Sequence, residues 1–210
     1  MRYPPKSKNH PLRIGIDFDG VIADPTREKI AFAKKYLGVD LRPENCTTRK
    51  AEKLYGKAYA HLLLPSLEYG PAITQFKPTP SCAKALTSLI DQGHYLVIIT
   101  TLGKEKLPFA KQFLSKHGIP YSHWASIDPE VVGKESQEYG NKQYICERLN
   151  MQVMVDDDIR NLKPMSRSGK LLLLFDQPWN RDMAPAGDIF RVYGWEEALD
   201  KIKGYQKNMN

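Results

Sequence analysis

Arg13-Ile14-Gly15-Ile16-Asp17-Phe18-Asp19-Gly20-Val21 is the stretch on which the fold turns. It is a short apolar run that ends in two acids, one residue apart, followed by glycine. Side chains along a strand alternate between faces, so Asp17 and Asp19 project to one side and Phe18 to the other, while Gly20 lets the chain turn away. A second apolar run, Val153-Met154-Val155, ends in Asp156-Asp157-Asp158. Two parallel strands open at the same edge of a sheet, so four or five carboxylates converge there.

The parallel sheet follows from what surrounds these runs. β-Branched or leucine-rich segments at 13–18, 95–100, 151–155, 170–175 and 189–192, and another near 122–127, alternate with longer stretches of helical spacing. The spacing predicts helices over Ser81 to Gln92, Lys106 to His117, Asn141 to Leu149 and Trp195 to Ile202, with Gly93 and Gly118 as stop signals. The expected class is α/β, a Rossmann-like parallel sheet flanked by helices. From Pro25 to Lys77 the alternation fails. Ile30, Phe32, Ala33 and Tyr36, then Ala51, Leu54, Tyr55 and Tyr59, show broken helical periods. They predict a small helical cap, inserted where an α/β sheet opens its ligand crevice. The resulting division is a flexible basic tail at 1–12, a core at 13–24 and 78–203, the cap at 25–77 and a C-terminal tail at 204–210.

Composition narrows the functions. Lys and Arg number 31 against 24 acids, giving +7, but Arg2, Lys6, Lys8 and Arg13 supply four of those charges. The remaining body is too mildly basic to be built for duplex phosphates, so no stable nucleic-acid partner is expected. Cys46, Cys82 and Cys146 show neither paired spacing nor an even count, which predicts reduced thiols and a cytoplasmic protein. The apolar runs are far shorter than a membrane span, and Met1 to Arg13 contains three prolines and no apolar segment of the kind a signal peptide needs.

Carboxylates held this close repel, and the remedies are a raised pKa or a divalent cation among them. Hard oxygen ligands with room for water favour magnesium. Such an ion suits phosphate, because it bridges carboxylate and phosphoryl oxygens that would otherwise repel. Thr100 and Thr101, at the end of the second long strand, offer hydroxyls and following amides to phosphoryl oxygens. Lys142 opens the helix that leads to the aspartate run, against the helix dipole, which suggests a use for its charge elsewhere. Lys134 competes for that role, and Lys104 is a weaker candidate. Each motif also has a plain structural reading: Asp19-Gly20 as a hairpin turn, the triple acid as a helix cap, the threonines as strand formers. Their joint occurrence favours a site.

Together the residues resemble the haloacid dehalogenase-like phosphohydrolase superfamily, whose pattern is an Asp-x-Asp strand end, a Thr or Ser at a second strand end, a Lys before a later helix and an acidic pair after a further strand. The resemblance implies that Asp17 is a nucleophile forming an aspartyl-phosphate and that Asp19 is the general acid and base. It implies that Thr100 binds the transferring phosphoryl group and that Lys142 neutralises it and orients Asp17. Asp17, the Asp19 carbonyl and Asp157 would hold magnesium, with Asp156 supporting them, and Asn161 would fix the loop. Asp17-Phe18-Asp19-Gly20-Val21-Ile22-Ala23-Asp24 and Leu174-Phe175-Asp176-Gln177-Pro178-Trp179-Asn180-Arg181 are similar to segments of the 5'(3')-deoxyribonucleotidase family and its bacterial and phage relatives. That implies a nucleoside monophosphate as substrate. Phe32, Tyr36 and Tyr55 would either stack on its base or form the cap's own core. A sugar-phosphate or other small-metabolite phosphatase and a polynucleotide end phosphatase are the alternative readings.

Overall fold

β1 (Arg13–Ile16) lies at the centre of a six-stranded sheet because its side chains are apolar on both faces. The computed structural model describes residues 10–57, 70–126, 142–185 and 187–209. Along the chain come β2 (Ala23–Asp24), α1 (Thr26–Leu37), α2 (Thr48–Tyr55), β3 (Lys77–Pro78), α3 (Cys82–Asp91), β4 (Tyr95–Thr100) and α4 (Leu107–Lys116). They are followed by β5 (His123–Ser126), α5 (Lys142–Arg148), β6 (Val153–Asp156), α6 (Ile159–Leu162), β7 (Leu171–Phe175), β8 (Ile189–Val192) and α7 (Trp195–Asn208). The large sheet runs β5-β4-β1-β6-β7-β8, every pair parallel. This is the expected α/β architecture.

The period of two along each strand sorts the core into two layers. Ile14, Ile16, Leu96, Ile98, Val153, Val155, Leu171 and Leu173 face α3, α4 and α7, with Phe18 and Trp195 in the same cluster. Val97, Ile99, Met154, Leu172 and Leu174 face α5 and α6. Because β1 pairs with β4 on one side and β6 on the other, Ile16 stands level with both Ile98 and Val155. The ends of these three strands therefore open at one rim.

β1 stops at Ile16, two residues short of the expected end, although the Asp17 amide still donates to the Val155 carbonyl at 2.9 Å. Phe18 then turns into the core, and Asp19 forms an isolated bridge with Ala23. β2 and β3 pair antiparallel as Ala23 with Pro78 and Asp24 with Lys77, so the chain leaves the core and returns to it through one narrow ribbon. Thr79 clamps that ribbon: its hydroxyl donates to the Val21 carbonyl at 2.6 Å and accepts from the Trp195 indole at 3.0 Å.

Between the ribbon strands, α1 and α2 are helical as expected, and Ala33, Leu41, Cys46 and Trp179 form a small apolar cluster there. Residues 58–69, including Tyr59, lie outside the described residues, as do 1–9, Ile127, Lys134 and Asn141. At both ends the framework extends further than expected. Leu12 is buried and its carbonyl accepts from Tyr95, while α7 continues through Gly204 to Asn208, where Gln206 donates to the His10 carbonyl at 2.9 Å. Cys46, Cys82 and Cys146 are free and buried, with thiols that burial pushes up to about 11 to 12. Among the described residues no helix is long and apolar enough to cross a membrane.

Candidate active site

The strand-end rim gathers the acids around a buried lysine. Lys142, in the first turn of α5, is 1% exposed, and its Nζ lies 2.7 Å from Asp17 Oδ2 and 2.7 Å from Asp156 Oδ2. A fully buried ammonium would be prohibitive alone, and two carboxylates make it tolerable. Burial alone would lower its pKa, but Asp156 and Asp17 outweigh that and hold it above the ordinary lysine range.

Each carboxylate is then fixed by separate bonds. Asp17 Oδ1 accepts from the Phe18 amide at 2.7 Å. Asp156 accepts from the Asp158 amide at 2.8 Å and from the Asn161 side chain at 3.0 and 3.1 Å. Asn161 thus fixes an acid as well as its loop. Asp157 Oδ2 accepts from the Trp179 indole at 2.6 Å. One oxygen each of Asp17, Asp156 and Asp157 lies within 4.8 Å of the others. The carboxylate of Asp19 stands outside that trio, and Asp158 turns away to pair with Arg160. Burial, with Asp156 and Asp157 adding to it against Lys142, drives Asp17 well above the usual carboxylate range. Burial and the neighbouring Asp156 push Asp157 up to about 7. Three carboxylates in so small a space, two of them reluctant to ionise, fit a hard divalent cation: Asp17 and Asp157 as ligands, and Asp156, already occupied by Lys142 and Asn161, as their support.

Gly20 is required by its neighbours. Its φ is +77°, and a Cβ there would stand 2.5 Å from Asp157 Oδ2. Its carbonyl accepts from the Gln177 side chain at 2.6 Å, which ties the β1 turn to the segment after β7. That segment is the part of the site that motif reading missed. Asn180 donates 2.8 Å bonds to the carbonyls of Asp157 and Phe175, and Arg191 on β8 donates to Asn180 Oδ1 at 2.7 Å and Asp176 Oδ1 at 2.8 Å. The sequence signal was present in Asp176-Gln177-Pro178-Trp179-Asn180, whose likeness to a family segment carried no role for its residues.

A cavity of about 810 Å³ opens above the acids, lined from the core by Asp17, Asp19, Thr101, Lys142 and Asp157, and from α1 and α2 by Lys29, Arg49, Lys50 and Lys53. The two threonines divide. Thr101 lines the cavity, whereas Thr100 is fully buried, does not line it, and accepts the Leu102 amide at 3.1 Å. Lys104 is exposed and does not line it either. Among the described residues, the aromatics of the inserted segment are also absent from the lining. Phe32 and Tyr36 stack on each other, with centroids 4.6 Å apart, and Tyr55 packs within the lobe. Trp179 is the aromatic ring that borders the cavity among the described residues.

A parallel α/β sheet with an Asp-x-Asp turn, a lysine-bridged acidic rim and a segment inserted above it defines a haloacid dehalogenase-like phosphohydrolase. Crystal structures of a predicted phosphatase from Clostridium acetobutylicum and a haloacid dehalogenase-like family hydrolase from Streptococcus pneumoniae share the fold. Their TM-scores are 0.62 and 0.61 at 16% and 14% identity, over 92% and 91% of this chain and 98% of each of theirs. The sequence pattern of the family described as 5' nucleotidase, deoxy (pyrimidine), cytosolic type C protein matches residues 10–207, and the chain belongs to that family. A nucleotidase from Clostridium acetobutylicum is 24% identical over 195 residues, covering 89% of this chain and 91% of that protein. The chain is accordingly a phosphatase of the nucleotidase type.

Proposed function

We propose that the protein is a magnesium-dependent 5'(3')-(deoxy)nucleotidase that works through an aspartyl-phosphate. The observation that carries this reading is the convergence of Asp17, Asp156 and Asp157 within 4.8 Å, bridged by Lys142, at the floor of one cavity. A magnesium ion would be held by Asp17, Asp157 and the Asp19 carbonyl, and it would supply charge neutralisation for phosphoryl oxygens.

Lys142 aims Asp17 and partly offsets the burial that disfavours its charge, so a carboxylate oxygen attacks phosphorus as the ester bond to the leaving oxygen breaks. Asp19 gives its proton to that oxygen, then takes one from the water that hydrolyses the acyl phosphate, which returns Asp17 as a carboxylate. Thr101, which lines the cavity, receives a phosphoryl oxygen, while Thr100 holds the loop through its bond to Leu102. The substrate is a small phosphorylated molecule of the nucleotide class, a nucleoside monophosphate being its simplest member. The family match and the buried free thiols support a cytoplasmic enzyme.

The test is phosphate release from deoxynucleotides, ribonucleotides and sugar phosphates, with and without magnesium, by wild type and Asp17→Asn. We expect release from nucleotides that chelation abolishes, and a loss of at least about 10³-fold in the variant while its thermal unfolding stays cooperative. Indifference to the base would remove the nucleotidase assignment. Near-normal turnover by Asp17→Asn would remove the nucleophile.

A further inference from the structure

The charges on the α2 wall of the cavity exceed what one phosphate requires. Lys142 and the acid-bound cation already answer the phosphoryl group at the floor. Of the cations that α1 and α2 bring to the lining, Lys29 Nζ donates to the Cys46 carbonyl at 3.2 Å and Lys50 pairs with Asp182 at 2.9 Å. Arg49 and Lys53 are left. Both are exposed, and neither has an ion-pair partner among the described residues.

Their placement is unfavourable in isolation. They stand four residues apart on one face of α2, where like charges repel and Glu52, the one acid of the helix, can offset only one of them, and Arg49 lies in a first turn that has no acid to offset the helix dipole. An anion between them would reverse both terms. A second hollow of about 550 Å³, lined by Arg49, Glu52, Lys53, Gly56 and Lys57, shares its first three residues with the main cavity. Arg49 and Lys53 therefore straddle the route from the acidic floor out over α2. A guanidinium alone could stack on a nucleobase, but an ammonium one helical turn away adds nothing to that, whereas a phosphate gains charge-assisted hydrogen bonds from both.

We infer that Arg49 and Lys53 form a second phosphate subsite, so that the preferred substrate is a nucleoside bisphosphate, with one phosphate on the acidic floor and the other on α2. The inference deepens the nucleotidase reading and rests on it for the identity of the floor.

The experiment measures calorimetric affinities for a deoxynucleoside 5'-monophosphate and the matching 3',5'-bisphosphate, with magnesium, in the Asp17→Asn background. Initial rates of wild type with both ligands run in parallel. We expect the bisphosphate to bind roughly tenfold more tightly at low salt, the advantage shrinking as ionic strength rises. In Arg49→Ala/Lys53→Ala the ratio should fall to near one. In Arg49→Glu/Lys53→Glu, where an acid in the first turn suits the helix, it should invert. Equal affinities in the Arg49/Lys53-intact protein, or a ratio that survives both double variants, would overturn the subsite. So would an advantage seen only with 5'-phosphorylated oligonucleotides. Hydrolysis of monophosphates without that advantage sinks this inference alone, whereas bisphosphate selectivity in a protein that hydrolyses neither ligand sinks only the catalytic reading.

Discussion

The floor and the α2 wall of the same cavity are built by opposite means. On the floor, the oxygens of Asp17, Asp156 and Asp157 are tied by Lys142, Asn161, Trp179 and backbone amides, and the strands beneath are buried on both faces. On the wall, the charges of Arg49 and Lys53 meet solvent from a helix whose one buried residue is Ala51. Phosphoryl transfer tolerates little misplacement, and the acids proposed for it are held by many short bonds and a closed core. Selection among soluble substrates needs only a field, which exposed cations supply with little local order. Trp179 joins the floor to the α1 side of the inserted lobe: its ring packs with Ala33, Leu41 and Cys46 while its indole N–H holds Asp157.

The floor should break hardest at its centre. Lys142→Met leaves Asp17 and Asp156 buried without their cation, and chemical denaturation in metal-free buffer should show a loss of about 3–5 kcal/mol. The same crowding makes a pH signature. Asp157 in the folded protein binds its proton up to about pH 7, whereas the unfolded carboxyl releases its proton near 4. The metal-free protein should therefore lose stability as pH rises from about 4 to about 7, and magnesium should flatten that slope in thermal melts. Trp179→Phe keeps an aromatic side chain, smaller by one ring, and removes the N–H. Apparent magnesium affinity, read from activation curves, should weaken by about tenfold or more, with only a modest change in melting temperature. The mildest change lies on the wall: Asp182→Asn removes the partner of Lys50, and because Asp182 is 64% exposed the loss of stability should stay under about 1 kcal/mol.

The same contrast explains what could be read from the chain alone. Asp17, Asp19, Lys142, Asp156 and Asp157 were legible because each sits at the end of an apolar run or one turn into a helix, where local pattern fixes position. Gln177 binds Gly20 across 157 residues and Trp179 binds Asp157 across 22, and no period encodes such pairings. β2 and β3 are two residues each, too short to show alternation. In α1 the apolar residues misled. Tyr36 is 62% exposed while Lys29 is buried, because the lobe closes partly over a lysine bonded to a backbone carbonyl. The last helix, expected to end at Ile202, runs on through Gly204 to Asn208, held by Gln206 and by Tyr205, which donates to the Gly169 carbonyl at 2.8 Å.

The ribbon of Ala23–Asp24 and Lys77–Pro78 has an evolutionary corollary. With departure and return fixed side by side, the length of the excursion barely registers in the stability of the framework, since doubling a loop costs only about 0.6 kcal/mol. Lineages can thus lengthen or trim the excursion at little cost, so long as the face it lays against Trp179 is kept.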